Sequence, residues 1–167
     1  MISLNSGVAM EQDQITVDLP RFGPCTFGAS EVVEFPWGLP GFPTLQRWLP
    51  LNLDSHPTFV WLQSLDDPSV ALPAIDPWMV FENYDPKMPA YAFTSLEIRE
   101  ATDFATLCVV VVTPDAQEMT INLMAPVVIN LRTRKGRQIM LDGSNYSPRE
   151  PMPRKAAQTA PASSKTA

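Results

Sequence analysis

The sequence is short of the residues from which most catalytic and metal-binding sites are built. It has one histidine, His56, and two cysteines, Cys25 and Cys108, which lie far apart in the chain. A structural zinc site needs about four cysteine or histidine ligands, so this set cannot supply one. His56 follows a predicted turn and precedes a proline, and we interpret it as a surface residue. We expect neither a metal nor another cofactor.

Motifs of nucleophilic and nucleotide chemistry are also missing. The chain has no dinucleotide-binding glycine fingerprint and no phosphate-binding loop. Ser64 and Ser95 lack a nucleophile-elbow context, and Cys108 lies in the most apolar segment, where a thiol is usually inert packing. The sequence therefore predicts a protein without enzymatic activity. Two reduced thiols suit a reducing compartment, although the sequence leaves a disulfide open.

No apolar run reaches the roughly 18 residues that a membrane-spanning helix needs. Residues 1–14 lack a basic leader followed by an apolar block, so we predict a cytoplasmic protein and read this stretch as a flexible extension. A chain of 167 residues is long enough for one domain with a sizeable core.

Basic side chains are scarce in the first part of the chain. Residues 1–131 contain 16 acidic and 4 basic side chains, whereas residues 132–167 contain 2 acidic and 8 basic ones. An acidic body repels the phosphates of nucleic acid and attracts a basic protein partner. The same acids could merely keep the protein soluble.

Proline, by contrast, is abundant and decides the structural class. There are 18 prolines, 14 of them before residue 148, and an interior proline breaks a helix. We therefore predict an all-β, mainly antiparallel domain over residues 15–147 with at most short helices. Composition and alternation predict strands at 15–19, 24–27, 31–35, 47–51, 58–63, 71–75 and 78–81.

The second half of the domain is predicted from longer apolar patterns. The predicted strand 105–113 contains the run 108–112, which is apolar on consecutive positions, so this strand should be covered on both faces, as at the centre of a barrel or sandwich. Side chains alternate along 119–125, and Pro126 should mark an edge, a bulge or a bend. Residues 127–131 and 137–141 should form a hairpin, with Gly136 free to take a positive φ in the connection. A short helix is possible over 94–103.

Residues 148–167 change character, because proline alternates there with alanine, serine, threonine and basic residues. Such a segment buries too little apolar surface to offset its chain entropy, so we predict a disordered tail.

Acidic residues form the candidate binding site. Asp66 and Asp67 could be a metal-binding carboxylate pair or, in our preferred interpretation, a turn capped by an aspartate side chain. Asp76, Glu82 and Asp85 add acid in the next segment. A docking face for a basic protein explains all five residues with the fewest assumptions.

Two further segments leave alternatives open. Arg132, Arg134, Lys135 and Arg137 would reach RNA phosphates from a hairpin tip, or they form a solvated turn; the sequence places no aromatic stacking residues beside them. The turn 37–42 either packs its aromatic residues into the core or offers an exposed tryptophan to a partner.

Two segments carry motifs that we expect to be structural, the first motif over 35–42 and the second motif over 122–136. Their residues are Phe35, Gly38, Pro40, Gly41, Phe42, Asn122, Leu123, Ala125, Pro126, Asn130, Lys135 and Gly136. With these motifs the chain resembles, from about residue 15 to residue 146, the FliW family of flagellar assembly factors. The match excludes the stretch before residue 14 and the end after residue 147.

The resemblance implies a small barrel-like protein without enzymatic activity that binds two proteins. One is flagellin, and the other is the RNA-binding translational regulator CsrA, whose repression of flagellin translation a free FliW-like protein lifts. We place the CsrA-facing surface among the five acidic residues because of their charge, and we expect no direct contact with nucleic acid. The alternative is RNA binding through the basic hairpin 132–137.

Overall fold

The structure, a computed structural model, describes residues 13–161. It begins with an antiparallel ribbon in which β1 (Gln14–Leu19) pairs with β2 (Gly23–Gly28). Most of β1 is exposed, and the hydroxyls of Thr16 and Thr26 share a hydrogen bond of 2.8 Å across the ribbon. The predicted extension over residues 1–14 lies outside the described residues except for its last two.

The rest of the chain is built on one larger sheet, whose ladders are all antiparallel. Its strands are β3 (Val33–Glu34), β4 (Arg47–Leu53), β5 (His56–Ser64), β6 (Ala71–Ile75), β7 (Phe104–Val111), β8 (Thr120–Ile121), β9 (Val127–Asn130), β10 (Gly136–Gln138) and β11 (Glu150–Pro151). The order is β10-β9-β7-β6-β5-β4-β3, and β8 pairs with both β7 and β11. This confirms the mainly antiparallel class, and the strands predicted at 15–19, 24–27, 47–51, 58–63 and 71–75 are confirmed.

The central strands are buried on both faces, as the apolar run in β7 predicts. Cys108 and Val110 of β7 belong to one core cluster, whereas Ala105 and Leu107 belong to another on the opposite face. Because strand side chains alternate between faces, one strand can supply both cores only when each face is covered.

Pro126 interrupts what would otherwise be one continuous strand. β7 pairs with β9 through Leu107 and Val127, and with β8 through Val110 and Ile121. The residues between β8 and β9 leave the ladder, so the bend predicted at Pro126 is confirmed. The strand predicted over 119–125 is reduced to β8, although its alternate side chains Met119, Ile121, Leu123 and Ala125 are buried as expected.

The ladders of the described residues do not close into a barrel. β3 and β10 stand at the two ends of the strand order, linked by an isolated parallel bridge between Glu34 and Lys135. The Glu34 amide also donates a 2.8 Å hydrogen bond to the Arg134 carbonyl. β3 is only two residues long and is followed almost at once by Pro36, which has no amide hydrogen for a ladder. The expected barrel is therefore not a closed one.

The helices are short but differ from the predicted positions. α1 (Ala90–Ser95) overlaps the helix predicted over 94–103 only at residues 94 and 95, since Glu97 adopts a positive φ of 57° that a helix cannot continue through. The strand predicted at 78–81 is wrong, because Pro77–Met79 forms a 3₁₀ turn capped by Asp76. Of the stretch 31–35 only Val33–Glu34 is a strand, since Ala29–Glu31 forms another 3₁₀ turn.

The chain stays ordered beyond the predicted start of the tail. β11 pairs with β8, and α2 (Arg154–Ala157) follows directly. Met152 and Ala157 are buried in the same core cluster as Cys108. The prediction of disorder is wrong for residues 148–161, because these few apolar side chains find a place in a core that the rest of the chain provides. Residues 162–167 lie outside the described chain.

None of the helices within residues 13–161 is long and apolar enough to cross a membrane.

Candidate protein-interaction surfaces

Asp66 and Asp67 lie in the turn between β5 and β6, where both carboxylates serve the backbone. The Asp66 carboxylate accepts hydrogen bonds from the amides of Gln46 and Arg47 at 2.7 and 2.8 Å and from the Arg47 side chain at 2.7 Å. Asp67 accepts from the amide and hydroxyl of Ser69 within its own turn. The arrangement matches the interpretation of an aspartate-capped turn.

These contacts change the acidity of Asp66. Partial burial acts to raise the pKa of this carboxyl, but the hydrogen bonds from Arg47 and Gln46 outweigh it and hold the pKa below its ordinary value. The charged form of Asp66 is therefore a stabilised part of the fold, with little capacity left for a partner.

The other three predicted acids belong to a loop after β6, residues 76–85, which we call the acidic loop. Asp76 caps its 3₁₀ turn by accepting a 3.0 Å hydrogen bond from the Trp78 amide. The Trp78 indole donates to the Tyr84 carbonyl at 2.7 Å, which closes the loop on itself. Asp76 is thus committed to the shape of the loop, as Asp66 is to its turn.

Tyr84 fixes the acidic loop to the body of the protein. Its side chain is buried, its hydroxyl donates to the Leu123 carbonyl at 2.8 Å, and its ring packs edge-on against Tyr146 at 4.8 Å between centroids. The Tyr146 hydroxyl accepts from the Asp85 amide at 2.9 Å. Burial raises the pKa of Tyr84, so the phenol keeps the proton that this bond needs.

The acidic loop presents apolar and acidic side chains together. Trp78 is 39% exposed and Met79 is 55% exposed, which is unusual for such large apolar groups. Glu82 and Asp85 are exposed on the same loop, and Asp85 makes an ion pair with Lys87 at 2.5 Å in which both side chains face solvent. Exposed tryptophan and methionine beside exposed carboxylates are typical of a surface that binds protein.

A cavity of about 610 Å³ opens beside this loop and brings in an acid that the sequence did not predict. Glu82 and Glu150 both line it, with Tyr84, Tyr146 and Leu123. Sequence reasoning missed Glu150 because it lay in the segment read as a disordered tail. The residues around Glu150 have no local sequence pattern that predicts a place beside the cavity. The pairing of β11 with β8 brings Glu150 to it.

The five predicted acids therefore do not form one face. Asp66 and Asp67 precede β6 and Asp76 follows it, so the two groups lie at opposite ends of that strand. Glu82 and Glu150 are the carboxylates that form no ion pair within the described residues, whereas Asp85 is exposed but pairs with Lys87.

The turn of the first family motif has the backbone geometry that its glycines predict. Gly38 and Gly41 adopt φ values of 64° and 88°, and Pro40 lies exposed between them. A Cβ on Gly38 would lie 2.5 Å from the Pro43 carbonyl oxygen, so a side chain is excluded by contact as well as by φ. Phe42 packs edge-on against the buried Trp48, with 6.2 Å between centroids.

Gly136 is required for a different structural reason than the one expected from the sequence. It does not adopt a positive φ; Arg134 takes that conformation in the hairpin, with φ of 56°. A Cβ on Gly136 would lie 2.5 Å from the ring of Phe35, which is fully buried. The first and second motifs thus meet at this contact, and Gly136 does not take the positive φ that was expected to be open to it.

The two motif asparagines hold turns. The Asn122 side chain accepts from the Ala125 amide at 3.0 Å, where the chain leaves the ladder before Pro126. Asn130 is fully buried: its carboxamide accepts from the amides of Arg132 and Thr133 and donates to the Leu96 carbonyl at 2.7 Å. Leu123 and Ala125 are buried between these turns.

Most of the basic hairpin is engaged inside the molecule. Arg132 donates to the Glu97 carbonyl, Arg134 donates to the Glu31 carbonyl, and Lys135 pairs with the Glu97 carboxylate at 2.9 Å. Arg137 differs, because its guanidinium stacks on two aromatic rings that the linear sequence places far away.

The candidate catalytic and metal-binding residues remain apart. Cys25 and Cys108 are free thiols, and burial raises the pKa of Cys108 to about 12. His56 begins β5 and contacts the Thr159 carbonyl at 3.3 Å. Across residues 13–161 no three His, Cys, Asp or Glu side chains come together as a possible metal site.

Comparison with known proteins identifies relatives over most of the chain. A family model described as "FliW protein" matches residues 16–152. A "Flagellar assembly factor FliW" from Thermosipho africanus is 35% identical over 127 residues, which are 75% of this chain and 88% of the relative. The protein of the same name from Carboxydothermus hydrogenoformans is 35% identical over 134 residues, which are 80% of this chain and 86% of the relative.

A solved structure shares the fold. It is described as the crystal structure of the flagellar assembly factor FliW, and it matches with a TM-score of 0.76 and 27% identity. The match covers 82% of this chain and 96% of the other.

Proposed function

The chain belongs to the FliW family of flagellar assembly factors, which are not enzymes, and from this premise we propose that it is a cytoplasmic regulator that binds flagellin and CsrA. While flagellin is plentiful, it occupies this protein. Once flagellin is exported, the freed protein binds CsrA and relieves the repression of flagellin translation. Such a circuit works only if binding of one partner changes the affinity for the other.

The observation that supports this proposal best is the chemistry of the acidic loop. CsrA binds RNA and so must offer a basic surface, to which free carboxylates are complementary. Glu82 and Glu150 line one cavity, and Trp78 and Met79, exposed on the same loop as Glu82, offer apolar anchors. Apolar anchors with a charged rim are the usual composition of a protein interface.

A charge-reversal variant tests where CsrA binds. Glu82→Lys combined with Glu150→Lys should weaken CsrA binding roughly tenfold or more at low salt, because attraction at the rim becomes repulsion. The loss should shrink at high salt, where exposed charges are screened beyond about 10 Å at 0.1 M. Titration calorimetry at two salt concentrations measures both effects.

The matched control places the same charge change elsewhere. Asp18 on β1 and Asp54 in the β4–β5 turn are exposed, and their double lysine variant alters net charge equally. It should leave CsrA affinity near wild type. Equal losses in both double variants would mean that only net charge matters, and no loss in either would remove the acidic loop from the interface.

Direct RNA binding through the hairpin 132–137 is less well supported by the contacts. Arg132, Arg134 and Lys135 already bind carbonyls or a carboxylate of the protein itself. RNA phosphates would have to compete with these contacts in a protein of net charge −6.

A further inference from the structure

Arg137 is held between two exposed aromatic rings. Its guanidinium carbon lies 4.5 Å from the centroid of the Trp37 ring and 4.9 Å from that of the Tyr91 ring. Trp37 is 49% exposed and Tyr91 is 42% exposed, so both rings also face solvent. The three residues, which we call the arginine clamp, come from the first motif turn, α1 and β10.

The fold positions this clamp through the contact beneath it. Phe35 packs on Gly136 inside the protein, and the neighbouring residues Trp37 and Arg137 meet on the outside. Because Gly136 leaves no room for a side chain, the register between the first motif turn and β10 is fixed. The guanidinium therefore keeps its place and orientation without any partner.

Among the four cations of the hairpin, Arg137 is the one whose side chain forms neither an ion pair nor a hydrogen bond within the described residues, because Arg132 and Arg134 donate to carbonyls and Lys135 pairs with Glu97. The ion pairs of the described residues join Arg47 with Asp66, Lys87 with Asp85, and Lys135 with Glu97. The guanidinium carbon lies over both rings, and the N–H donors of a guanidinium lie in its plane. An arginine held over aromatic rings with its N–H donors unpaired is organised in advance to bind a carboxylate through two hydrogen bonds.

We propose that the arginine clamp is the docking site for flagellin, engaging a carboxylate side chain of that protein flanked by apolar residues. The inference rests on the proposed function, which supplies two protein partners. A basic regulator such as CsrA would be repelled by an unpaired cation, whereas a carboxylate is attracted to it. The exposed sides of Trp37 and Tyr91 offer apolar area to the residues next to that carboxylate.

The occupant is a protein rather than RNA because of the surroundings of the clamp. Each ring already uses one face on the guanidinium, and the neighbouring cations are neutralised or engaged by the protein. Single-stranded RNA needs a continuous basic track beside its stacking rings.

Variants of Arg137 test the proposal with purified flagellin as the probe. Arg137→Gln should weaken flagellin binding at least tenfold in low salt. Arg137→Lys should lower the affinity for flagellin several-fold, because it keeps the charge but not the planar pair of donors. Tyr91→Leu keeps an apolar side chain and should also lower the affinity for flagellin several-fold. Arg149→Gln removes an exposed arginine elsewhere and should bind flagellin as the wild type does.

Further readouts separate this proposal from a structural role and from the proposed function. CsrA binding should be unchanged in Arg137→Gln, and no variant should create or remove a gel shift with RNA. If the variants lower the melting temperature but bind flagellin normally, the arginine clamp only stabilises the fold and is not a docking site. A gel shift of the wild type lost in Arg137→Gln would assign the clamp to RNA instead. Wild-type protein that binds no flagellin would overturn both proposals, whereas normal binding by every variant overturns only this one.

Discussion

Asp66, which precedes β6, and Glu82 and Asp85, which follow it, are used by the structure in opposite ways. The Asp66 carboxylate accepts three hydrogen bonds, all of which stabilise the turn between β5 and β6. Glu82 and Asp85, on the acidic loop after β6, accept none from the backbone among the contacts of the described residues and face solvent. Acidic residues that look alike in the sequence therefore have different roles: some stabilise the fold, and others remain exposed to a partner.

Removing the Asp66 carboxylate should give the largest effect of this comparison on stability. Asp66→Ala leaves the amides of Gln46 and Arg47 without their acceptor and breaks the bond to the Arg47 side chain. We expect a loss of about 1–2 kcal/mol in the free energy of unfolding. Urea titration measures it, with Asp54→Ala as an exposed control expected to change little. A loss below the error of the titration would show that water replaces the carboxylate without penalty.

Lowering the pH should gradually remove the stabilisation that the Asp66 carboxylate gives to the folded protein. The folded pKa of Asp66 lies below its unfolded value, so its stabilisation is complete above the ordinary pKa of 3.8 and is lost as pH falls through the lowered pKa. The difference in unfolding free energy between wild type and Asp66→Asn should therefore shrink below about pH 4. Parallel urea titrations from pH 6 downward measure it; a difference that stays constant to pH 2 would contradict the assignment.

The smallest effect on stability is expected on the acidic loop. Neutralising Glu82 with Glu82→Gln should change the free energy of unfolding by no more than about 0.5 kcal/mol, since exposed charges contribute little. The same titration measures it. A loss as large as that of Asp66→Ala would mean that the two groups of carboxylates do not differ in role.

The part of the fold that the sequence predicts well is the part with strong alternation. The apolar run of β7 and the alternate burial of Met119, Ile121 and Leu123 follow from the two-residue period of a strand. Turns fixed by local chemistry are predicted equally well. Gly38 and Gly41 show this, because their conformations depend on residues close in the chain.

The predictions that fail depend on distant contacts. The residues after 147 look too polar to fold alone, yet Met152 and Ala157 enter a core made by other strands. Gly136 resembles a turn residue until Phe35, far away in sequence, is seen to occupy the space of its missing side chain. The arginine clamp joins three segments, and no local pattern indicates that Trp37 and Tyr91 lie on either side of Arg137.

The meeting of Phe35 and Gly136 also bears on how the chain reaches its native state. These residues belong to opposite ends of the strand order, and most of the domain lies between them in sequence. Bringing together such remote segments carries a large entropic cost, and chains dominated by remote pairing fold slowly. Phe35 also packs edge-on against Trp48, but until synthesis has passed β10 the side of the ring that meets Gly136 has no cover, which only later residues of the chain can provide.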